Sequence, residues 1–216
     1  RMVLATKGGI TPPTPYDSSA EYLTKAIDDS LTRLRTDRID LWQIHRPDVL
    51  THPQEIARTI EDAHKAGKIR AFGVSNFTQA QITALAQFSA VPIVSTQPEL
   101  SPLRIDTIEN GELDQAIAMD LAVMAWSPLG GGRIGEPQNV REQNVAAALS
   151  GVAAAHNVSR TAAAYSWIMA HPARPIPIVG SQNPARIIEA ADAFKIQWTR
   201  ADWYSVLVAA RGVPLP

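Results

Sequence analysis

Cysteine is absent from the 216 residues, which excludes a disulfide framework, thiolate metal sites and a thiol nucleophile. A charge excess of either sign is absent too: 20 Lys and Arg stand against 21 Asp and Glu, a formal net charge of −1. That balance gives no electrostatic reason for a nucleic-acid or membrane partner. No apolar run approaches the ~20 residues of a membrane span, and Arg1-Met2-Val3-Leu4 does not read as a signal peptide. A cytoplasmic address is the expectation. Repeats, low-complexity tracts and linkers are missing as well, so a single domain over residues 1–216 is the economical reading.

What is present is ordinary for a soluble globular protein: 45% hydrophobic and 19% charged residues, enough apolar surface for a large core. Short apolar runs recur at 2–6, 39–44, 71–74, 92–95, 122–126 and 176–179. Each is continuously hydrophobic, as strands covered on both faces are. Amphipathic helices lie between them. Ser18-x-x-Glu21, Thr51-x-x-Gln54 and Thr78-x-x-Gln81 read as capping boxes, and Gly67 as a helix stop. The first of these helices carries the stripe Leu23, Ile27, Leu31 and Leu34. Further helices are expected over 113–119, through Val145 to His156, and over 159–170. Asn183-Pro184 and Thr199-x-x-Asp202 open the last two.

Six βα units in series predict a parallel α/β sheet. An open doubly wound sheet is disfavoured, because Lys7-Gly8-Gly9 lacks the G-x-G-x-x-G turn. A TIM-type (β/α)8 barrel gathers function from the C-terminal ends of many strands, and polar residues stand at such ends throughout. They are Lys7, His45, Ser75-Asn76, Gln97 with Glu99, Trp126-Ser127 and Gly180-Ser181. Taken singly, each reads as structural: a lysine reaching solvent, a hydrogen-bonded core histidine, a turn leading into a capped helix. Their repetition at every strand end is what points to a shared site. The count is short, since a barrel needs eight units and six are present.

The strings themselves resemble those of the aldo-keto reductase family. Arg38–Asp48 is similar to its histidine strand, and Gly67-Lys68-Ile69-Arg70-Ala71-Phe72-Gly73-Val74-Ser75-Asn76-Phe77 to its most specific segment. Gln97–Pro102, Ala125–Gly130 and Ile178–Ser181 with Arg186 follow in family order. Leu129–Arg133 resembles most the bacterial YdhF-type reductases. The resemblance runs from the family's third strand to its C-terminal helix, and it implies an NADPH-dependent reductase of small-molecule carbonyls, with NADH as a possible substitute.

It also implies roles. Lys7 matches the lysine that lowers the pKa of a tyrosine acid, and His45 the histidine that hydrogen-bonds the substrate carbonyl. Ser75, Asn76 and Gln97 match the residues that hold the nicotinamide carboxamide. Trp126 matches the aromatic stacked on the nicotinamide ring. Ser127, Leu129, Gly130 and Arg133 are expected under the pyrophosphate. Gly180, Ser181, Gln182 and Arg186 are expected around the 2′-phosphate, with Glu189 at the adenine; a guanidinium at 186 favours NADPH. No metal ligands are expected. Gly180 stands where the family often has Lys, Glu189-Ala190 where it has Glu-Asn, and Thr96 where Asn is commoner.

The family's aspartate and tyrosine lie on two βα units ahead of the strand that opens this chain, and the polypeptide is therefore expected to be longer than these residues. Tyr16, Tyr22, Tyr165 and Tyr204 are placed in a loop and in helices, not as replacements. Two other classes stay open at this point: an NADPH-binding regulatory or sensor subunit with little turnover, and an aldolase-like barrel using Lys7 for a Schiff base.

Overall fold

The computed structural model describes residues 2–215. The chain divides into two compact units, Arg1–Gln97 with Ala118–Leu121, and Pro98–Ile117 with Ala122–Pro216.

The first unit carries four parallel strands in the order β1 (Ala5–Gly8), β2 (Ile39–Ile44), β3 (Ile69–Ser75) and β4 (Ile93–Gln97). Three helices cross between them: α1 (Ala20–Leu34), α2 (Pro53–Lys65) and α3 (Gln79–Phe88). Ile39, Trp42, Ile44, Ile69, Phe72 and Val74 are fully enclosed, which is why these runs are apolar without alternation. Leu23 and Ile27 of α1 and Ile56, Ala57 and Ile60 of α2 close over them. At an aligned register Gln43, Gly73 and Ser95 lie side by side. Gln43 Nε2 donates to Ser95 Oγ at 3.3 Å and to the Val74 carbonyl at 3.4 Å. A Cβ on Gly73 would lie 2.0 Å from Ser95 Oγ and 2.9 Å from its carbonyl oxygen, so only glycine lets β3 lie here.

Some local expectations shift by one to three residues. Strand β1 pairs from Ala5, matched to Leu41, whereas Met2 and Val3 stay exposed, so the expected 2–6 span moves to 5–8. The caps of α1 and α2 are Ser19 and His52 instead of Ser18 and Thr51. The Asp48 carboxylate accepts Ser18 N–H at 2.9 Å and Thr51 Oγ–H at 2.7 Å, while Ser19 Oγ accepts Tyr22 N–H and His52 Nδ1 accepts Gln54 N–H to cap the two helices. The stripe on α1 ends early, with Leu34 exposed and Ser30 buried. The Thr78/Gln81 capping box forms in full, and Gly67 ends α2 at φ +75° as expected of a helix stop.

The second unit holds the strand pair β5 (Ala122–Ala125) and β6 (Ile176–Pro177). Its helices are α4 (Asp106–Glu109), α5 (Glu112–Ala118), α6 (Val140–Ala155), α7 (Arg160–Met169), α8 (Pro184–Ala190) and α9 (Arg200–Arg211), with a 3₁₀ turn at Ala191–Lys195. The short α4 has no counterpart in the sequence reading. Strand β6 is two residues long against the four expected, since Pro177 has no N–H for a ladder. Trp167 and Trp203 stack at 4.9 Å and 12°, and each indole N–H donates to the other's carbonyl at 3.0 Å. That exchange satisfies two indole donors while burying two of the largest side chains. Arg141 ties the end of α9 to the segment before α4, reaching Ala210 and Leu103 carbonyls at 2.5 and 3.0 Å.

Among the described residues no helix is long and apolar enough to cross a membrane, and no group of three or more His, Asp or Glu side chains is placed to hold a metal.

Candidate active site

In the first unit the polar residues at the strand ends form one hydrogen-bonded chain. Lys7 Nζ, from the third residue of β1, donates to Gln97 Oε1 at 3.2 Å. The Gln97 carbonyl accepts Ser75 Oγ–H at 2.8 Å and Asn76 N–H at 3.2 Å. Asn76 Nδ2 then donates to Ser75 Oγ at 2.8 Å and to the His45 carbonyl at 3.2 Å. His45 N–H closes the series on the Gly8 carbonyl at 2.8 Å. Four strand ends are thereby locked in register. Asn76 makes this possible by taking φ +59°, a left-handed conformation that asparagine tolerates better than most residues.

The electrostatics follow from burial. Desolvation pulls Lys7 below its ordinary 10.5. Desolvation first, then the Lys7 and Arg46 charges, pull His45 below 6.5, so near neutrality its imidazole is uncharged and donates one ring N–H. Gln97 spends its oxygen on Lys7 and keeps its NH2 as a donor. This arrangement can hold a carbonyl between an ammonium and a neutral imidazole and meet a carboxamide beside it.

Lys7 and His45 also line a cavity of about 440 Å³ with Gly8, Thr11, Tyr22 and Arg33. Tyr22, assigned from sequence to a helix alone, points its hydroxyl at this cavity's rim, donating to the Ile10 carbonyl at 3.2 Å. Tyr16 is 42% exposed and is not among the lining residues.

In the second unit a groove of about 690 Å³ runs past Ser127, Leu129, Arg133, Gly180, Ser181, Arg186 and Glu189. Seven of the expected cofactor positions thus fall on one surface. Gly130 lies just behind it, where a Cβ would come 2.9 Å from Leu103 Cδ1. Gln182 and Trp126 are not on the lining. Trp126 instead bridges the strand end, its N–H donating to Pro98 and its carbonyl accepting from Leu100. Thr161 and Tyr165, four residues apart on one face of α7, line the groove and were not foreseen. Burial, then the Glu189 charge, push the Tyr165 phenol up, so it stays a neutral donor.

The loop's chemistry departs from expectation in one respect. The backbone N–H groups of residues 130–135 all turn inward, onto Ser127, Leu129, Gly130 and Gly132 acceptors. Arg133 also turns inward, donating Nε to the Gly130 carbonyl at 2.8 Å and Nη1 to Glu142 at 2.9 Å. The hydroxyls behave differently. Ser127 Oγ accepts Gly131 N–H and Ser181 Oγ accepts Asn183 N–H, both at 3.1 Å, so each has its O–H to donate. With exposed Arg186, these are groups suited to an anion.

The chain belongs to the aldo/keto reductase family, whose model matches residues 1–207. It is 65% identical over its whole length to the 6-dehydroglucose reductase of Novosphingobium aromaticivorans, covering 71% of that protein. Oxidoreductase YdhF of Escherichia coli is 34% identical across 100% of this chain, which covers 74% of it. Among solved structures, the glycerol dehydrogenase of Gluconobacter oxydans matches with a TM-score of 0.87 at 28% identity, over 99% of this chain and 74% of that one. The fold class is that of the TIM-type barrel, and the protein is an oxidoreductase enzyme.

Proposed function

We propose that this protein reduces the aldehyde carbonyl of a sugar oxidised at C6, using NADPH. The observation that carries the chemistry is the chain Lys7–Gln97–Ser75–Asn76–His45, which fixes the Lys7 ammonium and the backbone of His45 on adjoining strand ends. The substrate class comes from the name of the Novosphingobium relative, 65% identical over the whole chain.

The residues fit a dinucleotide in each unit taken by itself. In the first, the Gln97 NH2 and the immobilised Asn76 amide suit a carboxamide, and Ser75 holds both in place. In the second, Ser127 and Ser181 hydroxyls suit phosphate oxygens, and Arg186 suits a 2′-phosphate, which favours NADPH over NADH. When bound, the reduced nicotinamide supplies the hydride. His45 donates its ring N–H to the substrate carbonyl and orients it. Lys7 keeps its positive charge beside the carbonyl, where it stabilises negative charge developing on oxygen and lowers the pKa of the family's tyrosine acid.

A sensor role with little turnover is not favoured, because the relatives are named for reduction. The direct test is NADPH consumption, followed by absorbance, with 6-dehydroglucose against a panel of simple aldehydes. We expect turnover of the sugar aldehyde above the panel. NADPH binding without consumption of any carbonyl overturns the proposal in favour of the sensor.

A further inference from the structure

We propose that Glu142 is a positioning residue for the dinucleotide, acting through Arg133 by closing the glycine-rich loop 129–138 into a rigid ring along the groove. This rests on reading that groove as the cofactor site.

Glu142 sits in the first turn of α6 and is 3% exposed, although it is charged. A carboxylate so enclosed needs partners on every lone pair. Both oxygens have them: Oε1 accepts Arg133 Nη1–H at 2.9 Å and Oε2 accepts the Gln138 N–H at 2.7 Å. Its own N–H donates to Asn139 Oδ1, the cap of α6, at 2.9 Å. Arg133 in turn reaches the Gly130 carbonyl at 2.8 Å. One carboxylate therefore joins the near end of the loop, through Arg133, to its far end at Gln138. The Gln138 N–H and the Arg133 guanidinium hold the carboxyl below its ordinary 4.5, so it is ionised across the working range.

The loop needs such a staple. Gly130, Gly131 and Gly132 take φ +59°, +67° and +92°, and Gly135 follows. Glycines lose the most backbone freedom on ordering, and any ordering left until a ligand arrives is subtracted from affinity. Leu129, Gly131, Gly132, Arg133, Gly135 and Gln138 all face the groove, whereas Glu142 does not. Glu142 thus shapes the wall without touching what the wall holds. Removing the staple is expected to weaken cofactor binding and leave the carbonyl step alone, since Lys7 and His45 belong to the other unit.

The experiment compares the full chain with Glu142→Gln and Arg133→Met, reading hydrogen exchange of the loop 129–138 without cofactor and NADPH affinity by nicotinamide fluorescence. Arg133 is 45% exposed, so its variant keeps the test valid even where Glu142→Gln fails to fold. We expect faster loop exchange and a Kd for NADPH raised about tenfold in both variants, with turnover of Glu142→Gln at saturating NADPH within about twofold. Arg133→Lys, which keeps one charge-assisted bond, is expected to recover part of the affinity. Unchanged exchange, or faster exchange with unchanged affinity, overturns this inference alone. A parent chain that binds no NADPH overturns the cofactor reading and this inference with it.

Discussion

The two candidate surfaces of this protein solve opposite problems. In the first unit, the strand ends are tied to one another: Lys7 to Gln97, Ser75 to the Gln97 carbonyl, Asn76 to Ser75 and the His45 carbonyl. They stand on strands whose neighbours are fully buried, so little slack is available. In the second unit the groove is walled by a glycine loop and by exposed residues such as Arg186, and its order comes from turns and from one buried carboxylate. On the proposed function, chemistry that depends on angles falls to the stiff half. Recognition of a charged group such as phosphate, assigned on the same proposal to the second unit, tolerates a looser wall.

That contrast can be broken in several ways. The largest effect is expected from His45→Ala, which removes the carbonyl donor. Turnover should fall about 10² to 10³-fold, with NADPH affinity nearly unchanged in fluorescence titration. A matching loss of cofactor affinity would place His45 outside the chemistry assigned to it.

Next comes Gly73→Ala in the sheet of the first unit. Because the added Cβ meets the Ser95 carbonyl at 2.9 Å as well as its hydroxyl, the backbone has to move. A loss of about 3 kcal/mol is expected, seen as a melting temperature lower by roughly 6 to 12 °C. Gly131→Ala provides the control in the second unit: no atom lies within 4 Å of its Cβ, and only the φ of +67° is strained. Its cost is expected at about 1 kcal/mol. Equal losses would erase the distinction between a packed strand and an open loop.

Arg186→Ala should be smaller again. Kd for NADPH is expected to rise about tenfold with little change for NADH, measured with both cofactors on the same protein. An equal change for both would remove the 2′-phosphate from Arg186.

The smallest effect is on pH dependence. His45 is held below 6.5 by burial and by the Lys7 and Arg46 charges, and His171 of the second unit by burial against an opposing Asp114 charge. In each case the unfolded chain binds a proton that the folded one resists. Stability is therefore full above 6.5 and falls as pH drops below it toward the folded values. Thermal melts between neutral pH and about pH 5 should show a shallower decline in His45→Gln and in His171→Gln. A slope unchanged by both substitutions would place the acid sensitivity elsewhere.

Much of this was readable in advance, and the misses share a cause. Runs such as Ile39–Ile44 and the Thr78-x-x-Gln81 box carry their structure locally, through burial on both faces and through a reciprocal cap, and they appear where expected. Ser18 and Thr51 looked like equally good caps, but Ser19 and His52, one residue on in each case, accept the helix N–H groups, while Asp48 binds Ser18 N–H and Thr51 Oγ–H. Arg133 stands on the groove as read from sequence, and the fold also commits its Nη1 to Glu142, nine residues on. Tyr22 and Tyr165 looked like helix residues and nothing more, because the cavities they line exist only after folding.

By itself the sequence determined the alternation of strands and helices and the family to which the chain belongs, since periodicity and motif spacing are properties of neighbours along the chain. It also determined which residue types stand at the strand ends. Only the tertiary structure decided what those residues do with their hydrogen-bonding groups. Lys7 meets Gln97 across 90 positions of sequence, and Glu142 meets Arg133 at the wall of the groove. A polar side chain is committed by whichever partner folding brings within about 3 Å, and that partner is fixed by packing, not by proximity in the chain.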